Sequence, residues 1–141
     1  MVEVADVRRK FRARIEEARK RGDARRIAAD RASQEYEIFL RDVATPAFRM
    51  VASVLSAEGY PFKVFTPAGG VRMAFTNSRD DYFEVELDTG SEAPQVIGRV
   101  NRSHGGRVTT IERPVREATA IGELSEGDVI DFVLAEIDRF V

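Results

Sequence analysis

The chain has 141 residues and no cysteine, which excludes disulfides, thiolate catalysis and a cysteine-ligated zinc site. Its single histidine excludes a metal site built on two histidines, and no apolar run approaches the roughly 18–20 residues that a membrane-spanning helix needs. The net charge is −2, but residues 1–42 hold 12 Arg/Lys against 9 Asp/Glu, a local +3, while residues 43–141 hold 10 against 15, a local −5. The missing cysteines, and acidic residues ahead of the first basic cluster, predict a cytoplasmic protein without a signal peptide or a membrane partner.

The first 58 residues have the apolar spacing of helices. Val4, Val7, Phe11, Ile15 and Ala18 recur every three or four residues, which predicts one narrow apolar stripe on a charged helix, as in a coiled-coil seam. The stripe resumes further along the chain with Ala28, Ala32, Tyr36, Phe39 and Val43. Gly22 and Asp23 stand between the two halves, so the sequence leaves open whether residues 1–44 form one helix or two.

A stronger boundary follows at Thr45 and Pro46. Threonine is a common N-cap residue, and proline is tolerated at the first helical position because its missing N–H would have no partner there. A helix from Pro46 to Glu58 is therefore predicted, and Gly59 ends it.

After Gly59 the apolar period changes to two. This pattern predicts five short strands, at residues 62–66, 71–76, 82–89, 96–102 and 107–112. The links are too short for parallel crossovers, so the strands form an antiparallel meander. Ser125 then opens a last helix, with Ile130, Val133, Leu134, Ile137 and Val141 on its apolar face.

The fold class is therefore α+β. It consists of a long N-terminal helical region of two or three helices, a five-stranded antiparallel meander sheet and a C-terminal helix packed on one sheet face. Residues 1–141 are interpreted as one domain, in which residues 1–44 form a helical arm that mediates oligomerisation and residues 45–141 carry the sheet and its helices.

The alternation in the strands also predicts the two faces of the sheet. The apolar set should face the helices: Val71, Met73, Phe75, Phe83, Val85, Leu87, Val96, Val100 and Val108. The opposite face should carry Arg72, Glu84, Glu86, Asp88 and Arg99, with Glu86 between the two arginines. Ile97 and Ile111 should lie directly opposite each other on that outer face, under a second subunit or the arm.

The candidate chemical motifs are weak. His104 precedes Gly105-Gly106 between two strands, as a hairpin-tip residue does, and Gly69-Gly70 leads into a strand instead of the helix that a phosphate loop requires. The three acids on strand 82–89 are expected to be neutralised by neighbouring arginines. The sequence therefore predicts no catalytic, cofactor or metal site, and it does not favour an enzymatic function.

The most pointed signal is the segment 8–26, which holds 10 basic and 3 acidic side chains, a local +7. It is interpreted first as the solvated outer surface of a helical arm. The alternatives are contact with an acidic protein or membrane surface and contact with nucleic acid. The residues expected to touch nucleic acid are Arg8, Arg9, Lys10, Arg12, Arg19, Lys20, Arg25 and Arg26.

The leading functional hypothesis is a non-enzymatic interaction or scaffolding module. It forms a homodimer through its N-terminal helices, with Phe11, Ile15, Tyr36 and Phe39 buried in the interface, and it also binds an unidentified protein partner. One alternative is a nucleic-acid-associated protein that uses the basic segment. Another is a small-molecule-binding domain with a groove between the sheet and the helices.

Overall fold

A computed structural model of the chain describes residues 1–90 and 93–141. The helices are α1 (Val4–Phe39), α2 (Thr45–Ala57) and α3 (Glu126–Glu136); a π turn, Leu40–Ala44, joins the first two, and short 3-10 turns cover Ile121–Glu123 and Ile137–Arg139. The strands are β1 (Phe62–Phe65), β2 (Gly70–Phe75), β3 (Ser78–Asp88), β4 (Gln95–His104) and β5 (Arg107–Pro114). This arrangement confirms the predicted α+β class. Part of the link between the predicted strands 82–89 and 96–102 lies outside the described residues.

The chain divides into two compact units, Met1–Arg31 and Ala32–Val141. The first unit is helical from Val4 onward, and every residue from Met1 to Ala28 is exposed. The second unit contains the end of α1, the π turn, α2, the sheet and α3. The predicted arm of residues 1–44 is thus shared between the two units.

Helix α1 is continuous through Gly22 and Asp23, which answers the question that the sequence left open. The predicted N-cap at Thr45 is wrong. Thr45 has helical φ and ψ of −65° and −47°, and its N–H bonds to the carbonyl of Leu40, five residues back. Pro46 explains the wider turn, because it has no N–H to donate and its ring crowds the carbonyl four residues back.

The five strands form one antiparallel sheet in the order β1-β2-β3-β4-β5, as predicted. β3 begins at Ser78, earlier than expected. Ser78 pairs with Phe75, so the loop between β2 and β3 consists of only Thr76 and Asn77. The shorter hairpin and an irregularity in pairing between Ala74 and Phe75 together move the register by two residues. Arg72 consequently lies opposite Glu84, and the predicted position of Glu86 between the two arginines is wrong.

The β4–β5 hairpin differs from the prediction by an odd number of residues. His104 pairs with Arg107, and the two-residue loop between them consists of Gly105 and Gly106, both with positive φ. Ile111, which was predicted to lie opposite Ile97, therefore lies opposite Val100. An odd shift exchanges the faces of a strand.

Two predictions about β5 are therefore wrong. Ile111 shares the inner face with Val100 and packs against the core, whereas Val108 is exposed on the other side. Ile97 lies opposite Pro114, so it forms no apolar pair with Ile111 on the outer face.

The core fills the space between the inner face of the sheet and the helices. Its largest fully buried side chains include Phe48 of α2, Met73 and Phe83 of the sheet, and Phe132 of α3. The predicted start of α3 is confirmed by a capping box, in which Ser125 Oγ accepts the Asp128 N–H and the Asp128 carboxylate accepts the Ser125 N–H. The capping box therefore sets the residue at which α3 begins.

Candidate functional site

The first candidate surface is the N-terminal stripe, defined by Val4, Val7, Phe11, Ile15 and Ala18. These five residues lie in α1, and all five side chains are exposed. At about 100° per residue, Val4, Phe11 and Ile15 fall within roughly 40° of one another around the helix axis. Apolar side chains aligned in this way on a polar helix are typical of a helix that contacts another surface.

Arginines flank the N-terminal stripe on both sides. Arg8 and Arg12 lie about 60° and 100° to one side of Phe11, and Arg14 and Arg21 lie about 60° and 80° to the other. The acidic residues Glu16 and Glu17 lie more than about 100° away, on the back of the helix. The stripe is therefore bordered by positive charge where a partner would meet it.

Most of the basic side chains in segment 8–26 form no ion pair with the described acidic residues. Within the described residues, ion pairs join Arg9 to Asp6, Arg14 to Glu17 and Arg26 to Asp23, each three residues apart on the helix. No ion pair is formed by the other predicted nucleic-acid contacts: Arg8, Lys10, Arg12, Arg19, Lys20 and Arg25. Their charges face solvent.

Two residues of the predicted dimer interface are instead buried within their own chain. Tyr36 and Phe39 are buried in the core of the second unit, whereas Phe11 and Ile15 are exposed. The Tyr36 hydroxyl donates to the Gly69 carbonyl at 2.8 Å, and the Val85 carbonyl lies 3.3 Å away. Burial raises the pKa of Tyr36, and the carboxylates of Glu86 and Glu84 add to the rise.

The second candidate surface is the α2–α3 groove, a concavity of about 200 Å³ between the two helices. The α2 side consists of Met50, Val51, Val54 and Leu55. The other side consists of Ile130, Val133, Leu134 and Ile137 of α3 and the 3-10 turn that follows. Met50, Val54 and Leu134 are exposed large apolar side chains. Exposed apolar side chains clustered in a concave surface are typical of a protein-binding site.

The α3 side of this groove is acidic. Residues 126–139 hold five acidic residues and one basic residue, a local −4. Asp128 pairs with Arg116, and Glu136 pairs with Arg113 and Arg139. Within the described residues, the other three acids have no ion pair: Glu126, Asp131 and Asp138. Asp131 lies one turn before Leu134, so it borders the groove.

Sequence reasoning missed this groove, although a signal was present. It placed Leu134 on the apolar face of the last helix, and it did not single out Met50. The signal was the width of the apolar arc in α2, which includes Met50, Val51, Val54 and Leu55. When the apolar arc of a helix is wider than one packing contact can cover, it indicates a second contact surface.

The outer face of the sheet carries a charged row. Glu84 is buried and bridges Arg72 and Arg99 at 3.1 and 3.0 Å, and Arg99 also binds Glu86 and Glu112. The hydrogen bond to Glu112 does most to raise the pKa of Arg99; burial opposes the rise and Glu86 adds to it. The expected neutralisation by arginines is present for Glu84 and Glu86, with Glu84 in the central position predicted for Glu86. Asp88 forms no ion pair among the described residues, and its carboxylate accepts the Gly90 N–H.

The remaining candidates lie apart from these surfaces. His104 is exposed at the end of β4 in the hairpin, and Gly69 and Gly70 form the turn into β2. A concavity of about 570 Å³ on the outer face is bordered by Phe65, Arg72 and Arg79. In residues 1–90 and 93–141, no three His, Cys, Asp or Glu side chains are grouped to hold a metal ion.

The described residues form an α+β protein with exposed apolar surfaces on α1 and between α2 and α3. None of the helices in the described part of the chain is long and apolar enough to cross a membrane. Comparison of the chain with protein-family models, with curated proteins and with solved structures finds no match.

Proposed function

We propose that this protein is a self-associating interaction module and that α1 is its contact element. The observation that supports this proposal is the exposure of Phe11 and Ile15 on one face of a continuous helix. Full burial of an apolar side chain of this size contributes roughly 1.5–3 kcal/mol. A contact that buries both side chains therefore has a substantial driving force.

The test is the molar mass in solution, measured by light scattering and sedimentation over a range of concentrations. The wild-type chain is expected at about twice its 15.8 kDa mass. The double variant Phe11→Asp/Ile15→Asp is expected to be monomeric, because two charges would have to be buried without partners. Both positions are exposed in the single chain, so the variant should still fold.

Ile27 provides a matched control. It is 68% exposed, against 65% for Phe11, and lies on the same helix about 160° around the axis from Phe11. Ile27→Asp should leave the mass unchanged. A wild-type monomer at every concentration, or a dimeric Phe11→Asp/Ile15→Asp variant, would contradict the proposal.

A second candidate function is binding to nucleic acid through segment 8–26. The supporting observation is the set of exposed basic side chains in that segment that lack acidic partners in the described chain, including Arg12, Arg19 and Lys20. Retention on duplex DNA should weaken steeply with salt, with a slope of about −0.9 per phosphate contacted. Replacement of Arg19, Lys20 and Arg25 by Gln should reduce that slope by about three. Arg49→Gln, an exposed change outside the segment, is the control; a slope unaffected by the triple variant excludes this function.

A further inference from the structure

Two surfaces of this chain are complementary in chemistry. The N-terminal stripe is apolar and bordered by arginines. The α2–α3 groove is apolar, and its α3 border carries aspartates that form no ion pair in the described part of the chain. Among the described residues, neither Phe11 of the stripe nor Leu134 of the groove is covered, since both are exposed. Each surface therefore has the properties expected of the other's partner.

The charges around the stripe disfavour a pair of stripes from two copies. In a helix pair, the residues that border the apolar seam face each other across the interface and decide which helices associate. Here those residues include Arg8, Arg12 and Arg14, so two copies of the same seam would bring like charges together. The N-terminal stripe thus needs a receptor with an acidic border.

We propose that the α2–α3 groove of one copy binds residues 4–18 of a second copy. This inference rests on the proposed function, because it names the receptor for the same contact element. The groove offers an apolar surface between two helices, and an amphipathic helix inserts side chains spaced by three or four residues into such a surface. Asp131 and Asp138 would lie beside arginines that border the stripe.

The N-terminal stripe and the α2–α3 groove have similar lengths. Val7, Phe11 and Ile15 span about 12 Å along their helix, and Ile130 to Ile137 span about 10 Å along the other side of the proposed contact. Each copy carries one stripe and one groove. Two copies can therefore exchange helices, and the two identical contacts close a dimer with two-fold symmetry.

The test compares four single variants with the wild-type chain. Leu134→Asp alters the groove at a residue that is 61% exposed, and Val108→Asp is its control on the sheet at 60% exposure. Phe11→Asp alters the stripe, and Ile27→Asp is its control. The two controls should keep the wild-type dimer, whereas Leu134→Asp and Phe11→Asp should weaken dimerisation by about tenfold or more.

A mixture of Phe11→Asp and Leu134→Asp gives the decisive measurement. The first variant retains an intact groove and the second an intact stripe, so one of the two contacts can form. The mixture should therefore contain more dimer than either variant alone at the same total concentration. Contact between two stripes predicts no such recovery.

The outcomes separate the two proposals. If Phe11→Asp is monomeric while Leu134→Asp dimerises like the wild type, the proposed function stands and the groove is not the receptor. If both are monomeric and the mixture shows no recovery, the groove is again excluded as the receptor. If the wild-type chain is monomeric, or Phe11→Asp keeps the wild-type mass, the proposed function itself is contradicted.

Discussion

Phe132 of α3 places the tip of its ring where the side chain of residue 98 would be, and residue 98 is glycine. A Cβ at that position would lie 2.6 Å from the ring Cε1 atom and closer still to Cζ. Because Gly98 is buried in β4 and Phe132 is buried in the core, neither can move far. This close approach fixes how near α3 sits to the middle of the sheet.

Gly98→Ala should therefore lower the free energy of unfolding by about 1–3 kcal/mol, the usual cost of overpacking a core. Urea denaturation measures the change. Gly122→Ala is the matched control, since no heavy atom lies within 4 Å of its added Cβ. In addition, Phe132→Leu should cost less in the Gly98→Ala background than in the wild type, because the smaller side chain relieves the overlap. Equal costs in the two backgrounds would contradict the proposed clash.

Glu84→Gln should cost about 1–3 kcal/mol of unfolding free energy, because it weakens the bonds that Arg72 and Arg99 make to a buried carboxylate. Glu112→Gln is the comparison, because the Glu112 side chain is 51% exposed whereas that of Glu84 is 7% exposed. Removing this solvated contact should cost less than about 1 kcal/mol. Thermal denaturation at low and high salt distinguishes the two variants. Equal losses of unfolding free energy in Glu84→Gln and Glu112→Gln would show that burial of Glu84 has no energetic effect.

Tyr36 should make the protein lose stability at alkaline pH. Its pKa in the folded chain is raised above the ordinary value of 10.0, so the folded state keeps a proton that the unfolded state releases. The stabilisation is complete below pH 10 and declines above it, by about 1.4 kcal/mol between pH 8 and pH 11. Urea unfolding of the wild type and of Tyr36→Phe at both pH values measures this effect. Between pH 8 and pH 11 the variant should lose about 1.4 kcal/mol less unfolding free energy than the wild type. Parallel pH dependence of the two chains would contradict the prediction.

The stability of the β4–β5 hairpin should depend on the two glycines of its turn. Gly106 has a φ of 81°, so Gly106→Ala is expected to cost about 1–2 kcal/mol. Gly105→Asn should cost much less, since asparagine adopts the left-handed conformation readily and Asn-Gly suits this turn. Thermal denaturation compares both with Gly22→Ala, a mid-helix site with open space around its Cβ, where alanine should stabilise α1 by about 1 kcal/mol. A neutral Gly106→Ala would contradict the strained-turn argument.

The sheet shows which features the sequence could specify. Strict alternation assigned Val71, Met73, Phe83 and Val85 to the buried face correctly, because an error of two residues in register leaves every side chain on its own side. Arg72 therefore stayed on the outer face although its partner changed from Glu86 to Glu84. The prediction was wrong for β5 because the error there was odd, and only the two-glycine turn determines that parity.

The helices show the opposite balance. The spacing of Phe11 and Ile15 correctly predicted one face of α1, since helical periodicity is a local property. The π turn had no such signal, because Thr45 and Pro46 suit a helix start as well as a widened turn. The α2–α3 groove was missed although the apolar arc of α2 was wide, because the groove arises from packing between segments more than 70 residues apart in the sequence.

The π turn also determines which apolar residues of α2 are available to a partner. Buried residues of α1 fall at Ala32, Tyr36 and Phe39, and an uninterrupted α-helix would continue that series near residues 43, 47, 50 and 54. Instead the buried residues that follow are Ala44, Ala47, Phe48 and Ala52, so the buried face has moved by roughly one residue and Met50 and Val54 lie outside the core. The insertion of one codon into an ancestral α-helix would produce this phase change. Loss of any one codon between 40 and 44 would reverse it, turning Met50 and Val54 inward and removing one side of the groove without altering any residue that forms it.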